Sequence, residues 1–223
     1  MQKFHLHQKK INVWNETQLK YFLTQIKDTP LYIPVITIAL TGLRVGELCG
    51  LRWENIDLET GFITVKEQVI IDKLNHTLIH DNILSYRSIS IPQTLCNILS
   101  KHKASQQFNH KGFIITDKNN NMYNPRNLSM NFSRQVSKYK YTLEEMNKLK
   151  KEFNNYMQLP QFSIHGLRHT HATILLLKNE NIKVISQRLG HKSTKVTWDT
   201  YSHVLPSMQM KTALLLDDMI STI

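Results

Sequence analysis

The spacing of apolar residues changes period twice along this chain, and that change restricts the fold class more than any other feature. Near the start Leu19, Phe22, Leu23 and Ile26 recur at i, i+3, i+4 and i+7, one apolar face of a helix. Asn15 stands as its N-cap, with Gln18 three residues on for a capping box and Trp14 and Leu19 placed as a staple. "PLYIPVITIALTGLRVGELCGLRW" follows, an apolar segment that breaks at Gly42 and resumes as a short helix. The period then drops to two. "GFITVKEQVII" is β-branched with partial alternation, and "YRSISIP" alternates cleanly. The intervening "DKLNHTLIHDNILS" is polar enough for a turn and leaves room for a middle strand. Helical spacing then returns. Pro92 fits as the first residue of a helix carrying Leu95, Ile98 and Leu99, and Pro125 as the opening of another carrying Leu128, Phe132 and Val136. "TLEEMNKLKKEFNNYM" predicts an exposed amphipathic helix, and Gly190 a stop just past "IKVISQRL". The expected architecture is mainly α with a small antiparallel β-sheet of two or three strands, an α+β fold. At 223 residues the chain is long enough for one sizeable core, and a single domain over 1–223 is expected.

Charge narrows the function. Lys+Arg 28 against Asp+Glu 17 leaves +11, with a pI near 9.6. Such a basic chain meets nucleic acid or another anionic surface, or carries a solvated lysine-rich face. No apolar run approaches the length that spans a bilayer, and the first residues lack the apolar middle of a secretory signal. Cys49 and Cys96 both fall inside apolar helical patterns and are expected as buried thiols, which fits a reducing cytoplasm.

"HGLRHTHATILLLKNENIKVISQRLGHKSTKVTWDTYSH", His165 to His203, collects five histidines, two arginines and a tyrosine. His165 and His169 are four apart, a spacing that zinc ligands share, and His191 or Asp199 offers a third ligand. Against a metal stands Arg168, a cation between the two histidines, and no glutamate is placed as a general base. His169 and His171 read instead as partly buried helix residues bonding backbone.

A phosphate explains more of the segment. An arginine keeps its proton, and its planar fork matches two phosphate oxygens; Arg168 and Arg44 both qualify. Two guanidiniums on one phosphate stabilise the added charge of a pentacoordinate transition state. His165 and His191 donate hydrogen bonds or move protons near neutral pH. Tyr201, ten residues after His191, is able to attack a phosphodiester once its proton is removed. There is no carboxylate cluster suited to Mg²⁺, so neither a metal nor another cofactor is expected.

At these residues the chain resembles the tyrosine recombinases, the phage integrase family. "ALTGLRVGELCGLRW", "HGLRHTHAT" and "LGHKSTKVTWDTYSHV" look like the three boxes of that family, in order, with Arg168 to His191 spanning 23 positions and Arg168 to Tyr201 spanning 33. The resemblance runs from about Trp14 to Leu205. It implies the tyrosine recombinase catalytic-domain fold, with Arg44, His165, Arg168, His191 and Tyr201 as catalytic residues and Glu47 supporting their geometry. It further implies double-stranded DNA as partner, a 3′-phosphotyrosyl intermediate, and transfer to the 5′-hydroxyl of a partner duplex, for integration or excision of a mobile element. A homo-tetramer on DNA is expected, with a monomer alone, acting in the cytoplasm at the nucleoid. Family members carry core-binding and arm-binding domains before the catalytic one. Both are expected to be absent from 1–223, as in a fragment or truncated relative. Two alternatives stay open: a degenerate DNA-binding remnant, and a type IB topoisomerase-like enzyme that relaxes DNA without exchanging partners.

Two features depart from or extend the family pattern. The family usually places a lysine in the β-hairpin turn before a Ser-x-Arg stretch, where it protonates the leaving 5′-oxygen. Here Asp81 and Asn82 stand at that place before "SYRSISIP", and the nearest upstream lysine is Lys73, an ordinary turn lysine or a substitute acid. In the tail, 206–223, Met210, Ala213, Leu214 and Leu216 form a short apolar face, too short to be stable unpacked, which docks on its own domain or on a neighbouring protomer.

Overall fold

The computed structural model describes residues 11–72, 74, 77–106, 111–140, 144–145, 147–148, 157–202, 209, 213–214 and 216–217. Lys73, most of the predicted 142–157 helix and most of the tail lie outside the described residues.

Helix α1 (Glu16–Gln25) opens as expected. The Asn15 side chain accepts from the Gln18 amide at 2.9 Å, and the Gln18 side chain accepts from the Asn15 amide at 3.0 Å. Trp14 is buried with Leu19, and its indole nitrogen donates to the carbonyl of Pro160. Its ring packs on Phe22 within α1 and on Phe132 and Phe162, so the entry to α1 is also held by residues more than 100 positions away. Helix α2 (Tyr32–Thr41) is apolar nearly all round and buried on most sides, as a central core helix must be. It ends at Gly42, whose φ of 72° is left-handed. A Cβ there would stand 2.8 Å from side-chain atoms of both His171 and Leu189. The break therefore answers to backbone conformation and to close packing alike. Helix α3 (Val45–Gly50) follows with Arg44 at its N-cap.

The sheet has three antiparallel strands in the order β1 (Ile56–Asp57), β2 (Phe62–Ile71) and β3 (Leu78–Ser90). Among the described residues no separate middle strand forms. The polar "HDNILS" stretch belongs to β3, one 13-residue strand. Pairing is regular from Phe62↔Ser90 to Val65↔Arg87 and again from Glu67↔Asn82 to Ile71↔Leu78. Between these blocks β2 advances two residues and β3 advances five, an irregularity that interrupts the alternation. Asp81 and Asn82 thus lie within the strand, opposite Gln68 and Glu67, and not in the turn.

Helix α4 (Gln93–Ser105) has Pro92 at its N-cap, so it begins one position after the expected start. Helix α5 (Pro125–Ser137) does open on its proline and buries Leu128, Phe132 and Val136. Three more helices build the site: α6 (His165–Leu177), α7 (Ile182–Leu189) and α8 (Thr194–Tyr201). Cys49 and Cys96 are free and buried, and burial pushes the Cys49 thiol up to about 12. Among the described residues no helix is long and apolar enough to cross a membrane.

Candidate active site

Arg168 is the centre around which three chain segments close. It is 2% exposed, on the buried face of α6. Nη1 donates to the carbonyl of Gly42 and Nη2 to that of Leu189, each at 2.6 Å. Both carbonyls lie at helix C-termini that left-handed glycines terminate, Gly42 after α2 and Gly190 after α7. Such carbonyls lack intrahelical partners and carry the negative end of the helix dipole, so a buried guanidinium satisfies them well. Burial, then the nearby Arg44 charge, brings Arg168 down to about 10, with Glu47 and Tyr201 pulling the other way. It stays protonated at neutral pH.

Arg44 sits where the chain turns from Gly42 into α3. Its amide and its Nη1 both donate to Glu47, at 2.8 and 2.7 Å, so Glu47 caps the helix and aims the arginine together. Glu47 is 2% exposed, not the surface carboxylate that a helix position alone would suggest. Its second partner is Arg87 from β3, which donates from Nη1 at 3.0 Å and Nη2 at 2.7 Å. Burial by itself would raise the Glu47 carboxyl. The Arg87 hydrogen bond and charge, then the Arg44 amide and charge, outweigh it and hold the carboxyl below its ordinary range. Arg87 also donates from Nε to the carbonyl of Arg188, which ties the sheet to the end of α7. The Gly190 turn packs on this guanidinium: a Cβ at Gly190 would lie 2.8 Å from Arg87 Nη1.

His191 follows that turn. Its Nδ1 is 2.8 Å from the hydroxyl oxygen of Thr197, and burial, then Arg168 and Arg44, lowers it to about 4. His165 is the first residue of α6; burial, then Arg168 and Arg44, lowers it as well. Tyr201 is the last residue of α8 and 2% exposed. Burial pushes its phenol up to about 12 against the pull of Arg168. Its hydroxyl lies 2.9 Å from Nδ1 of His169.

The structure thus brings Arg44, Glu47, His165, Arg168, His191 and Tyr201 into one neighbourhood. Of the two histidines read as backbone-bonding, His171 behaves so, with Nδ1 2.9 Å from the carbonyl of Ala39. His169 meets Tyr201 through its Nδ1. Reading by spacing passed over Arg87 and the meeting of His169 with Tyr201, because these contacts cross 40 and 32 positions of chain. A cavity of about 490 Å³ opens beside the arginines, lined by Arg44, Glu47, Gln68, Asp81, Asn82, Arg87 and Gly190 among others. A larger one, about 630 Å³, lies between α1, α2 and α6 and contains none of the candidate catalytic residues. Lys73 is outside the described residues.

Residues 14–208 match the profile of the phage integrase family. The chain belongs to the phage integrase family. The ICEBs1 integrase of Bacillus subtilis (strain 168) is 28% identical over 221 residues, 96% of this chain and 56% of that protein. The Tn1549 transposon integrase, solved in complex with circular intermediate DNA, superposes with a TM-score of 0.74 at 22% identity, over 94% of this chain and 68% of that one. The catalytic domain of bacteriophage HP1 integrase gives 0.55 at 19% identity, over 92% and 94%. These likenesses show the fold, that of the tyrosine recombinase catalytic domains. Phage integrases of this type are tyrosine recombinases, an enzyme class that cleaves and rejoins DNA. The chain spans about half the length of the curated relatives it matches.

Proposed function

We propose that this chain is the catalytic domain of a site-specific DNA recombinase, with 1–223 as one domain and 206–223 as its tail. Double-stranded DNA is its substrate, assembly is a homo-tetramer on DNA from a monomer in solution, and the site of action is the cytoplasm at the nucleoid. Tyr201 attacks a backbone phosphate to form a 3′-phosphotyrosyl ester and frees a 5′-hydroxyl. A 5′-hydroxyl from the partner duplex then reverses the step. Ester energy is retained throughout, so the cycle needs no nucleotide cofactor.

The observation that carries this reading is the company Tyr201 keeps. Arg168 is close enough to stabilise the phenolate, and Arg44 close enough to depress Arg168. Two neighbouring guanidiniums held in a fixed frame repel each other until an anion arrives between them. A phosphate is that anion, and the extra charge of the transition state strengthens the contact. His165 and His191, both neutral at pH 7 by the shifts above, are hydrogen-bond donors to its oxygens.

The test is a nicked suicide duplex, drawn from the DNA that flanks the chain's own gene and read by denaturing electrophoresis. The wild-type chain should give a covalent adduct, and Tyr201→Phe should bind DNA equally and give none. An adduct from Tyr201→Phe would remove Tyr201 from the role. A second reading, a DNA-binding remnant that cuts poorly, is favoured by one observation. Asp81, an acidic residue, lines the cavity beside Arg44, next to where a phosphate would sit.

A further inference from the structure

A buried tyrosine is a poor nucleophile unless something takes its proton. Tyr201 is 2% exposed, and burial holds its phenol far above neutral pH. An imidazole is in contact with the hydroxyl, Nδ1 of His169 at 2.9 Å, with the two rings edge-to-face at 5.7 Å. His169 lies one turn beyond His165 and next to Arg168 on α6, while Tyr201 ends α8, so the contact is set by helix packing. The other imidazoles nearby are engaged elsewhere through Nδ1: His191 with Thr197 and His171 with Ala39. The His165 ring stands edge-on to that of His169, with centroids 4.8 Å apart.

We propose that His169 is the general base for Tyr201, a catalytic residue in addition to those assigned above. The proposal rests on the reading of Tyr201 as nucleophile. In the cleavage step a lone pair of Tyr201 Oη forms the bond to phosphorus. The phenolic proton passes to Nδ1 of neutral His169, which becomes imidazolium. The bond from phosphorus to the 5′-oxygen breaks, its electron pair stays on that oxygen, and solvent protonates it. Rejoining runs the same path backwards, with His169 returning its proton to Oη. For this, resting His169 carries its proton on Nε2 and accepts at Nδ1. His165 stands edge-on to its ring, Arg168 precedes it on α6, and His191 after α7 is close enough for the two imidazoles to disfavour each other's charge. The proton taken from Tyr201 is therefore held only until it is returned or lost to solvent.

Two measurements test the proposal, both on the full chain. The first follows adduct formation on the suicide duplex against pH. Wild type should rise with pH to a plateau once His169 is neutral. His169→Phe should bind DNA as wild type does and cleave about 10²–10⁴ times more slowly. Its rate should climb about tenfold per pH unit with no plateau, because hydroxide replaces the lost base. His169→Gln, which holds the hydroxyl but takes no proton, guards against misfolding and should show the same loss. A wild-type rate in either variant, or a loss with an unchanged pH profile, overturns the proposal while leaving Tyr201 as nucleophile. Faster cleavage in His169→Phe would mark the contact as a restraint and overturn it as well. No adduct from wild-type protein removes the nucleophile reading itself, and the proposal with it. The second measurement needs no DNA. Nitrogen NMR of ¹⁵N-histidine-labelled protein should find the His169 proton on Nε2, with the Nδ1 resonance moving in Tyr201→Phe. A proton found on Nδ1 overturns the proposal.

Discussion

Arg87 grips Glu47 with both terminal guanidinium nitrogens, at 3.0 and 2.7 Å, in a setting where the carboxylate is 2% exposed. Removing one partner of a buried pair leaves the other charge stranded, which costs about 3–5 kcal/mol. Arg44 still contacts Glu47, so Arg87→Ala should fall near the lower end, about 3 kcal/mol, by urea denaturation. Arg87→Lys should recover little of it, since a point charge does not reproduce the two-pronged contact. A variant within about 0.5 kcal/mol of wild type would show that the pair does not anchor the sheet to α3.

Arg168→Lys should be worse for cleavage than for folding. A lysine has one nitrogen to share between the carbonyls of Gly42 and Leu189 and none left in a fixed plane for phosphate. The loss of one transition-state donor is about 3–4 kcal/mol, a fall of two to three powers of ten in adduct formation. Single-turnover rates on the suicide duplex measure this, and a fall of less than tenfold would contradict it.

Acid should loosen the core through His171. Burial, then the Arg188 charge, lowers this histidine to about 4, below the 6.5 of an exposed one. The unfolded chain therefore binds the proton more readily, and stability falls as pH drops from about 6.5 toward 4. Between pH 6.5 and 5 this single group should remove about 1.5–2 kcal/mol. His171→Phe, though it gives up the bond to Ala39, should show that much less pH dependence over the same interval. Equal slopes for the two proteins would refute the assignment.

Gly190→Ala should disturb the site from a distance. The left-handed backbone alone costs about 1–2 kcal/mol for any residue with a Cβ. The new methyl would also displace Arg87, whose Nη1 lies 2.8 Å away, and through it Glu47 and Arg44. Cleavage should fall more than thermal stability does. A variant that loses stability and keeps its rate would separate the glycine from the arginine network.

Asp81 and Asn82 lie within β3 and supply no acid from the hairpin turn, so unless Lys73 serves, protonation of the leaving oxygen should be the slow event. A substrate with sulfur at the 5′-bridging position needs no such proton and should be cleaved about 10²–10⁴ times faster than ordinary DNA. Lys73→Ala should change little. Equal rates on both substrates would reveal a working acid, and a gap created by Lys73→Ala would name it.

What sequence could and could not disclose follows from the range of each interaction. The Asn15 capping box, the Pro125 helix start and the Gly190 stop are settled within four residues, and all three form as their local chemistry requires. The sheet was only half legible. Alternation holds near Val65 and Arg87 but is lost across the irregular stretch of β3, where Asp81 and Asn82, poor strand formers, occupy paired positions. The site divides in the same way. Arg44, Arg168, His191 and Tyr201 are marked by short motifs. The burial of Glu47, its bond to Arg87 and the meeting of His169 with Tyr201 exist only once distant segments have packed.

The clamp made by Arg168 has a consequence for how copies of such a gene would decay. Its two short bonds hold the ends of α2 and α7, so folding alone selects for it, whether or not the protein still cuts DNA. His165 is exposed, and the Arg44 side chain is 44% exposed, so far less of the fold depends on them. In lineages released from selection for recombination, Arg168 should persist while His165 and Arg44 drift. Retention of the two exposed residues across such copies, and not of the buried arginine, is the mark of an enzyme still in use.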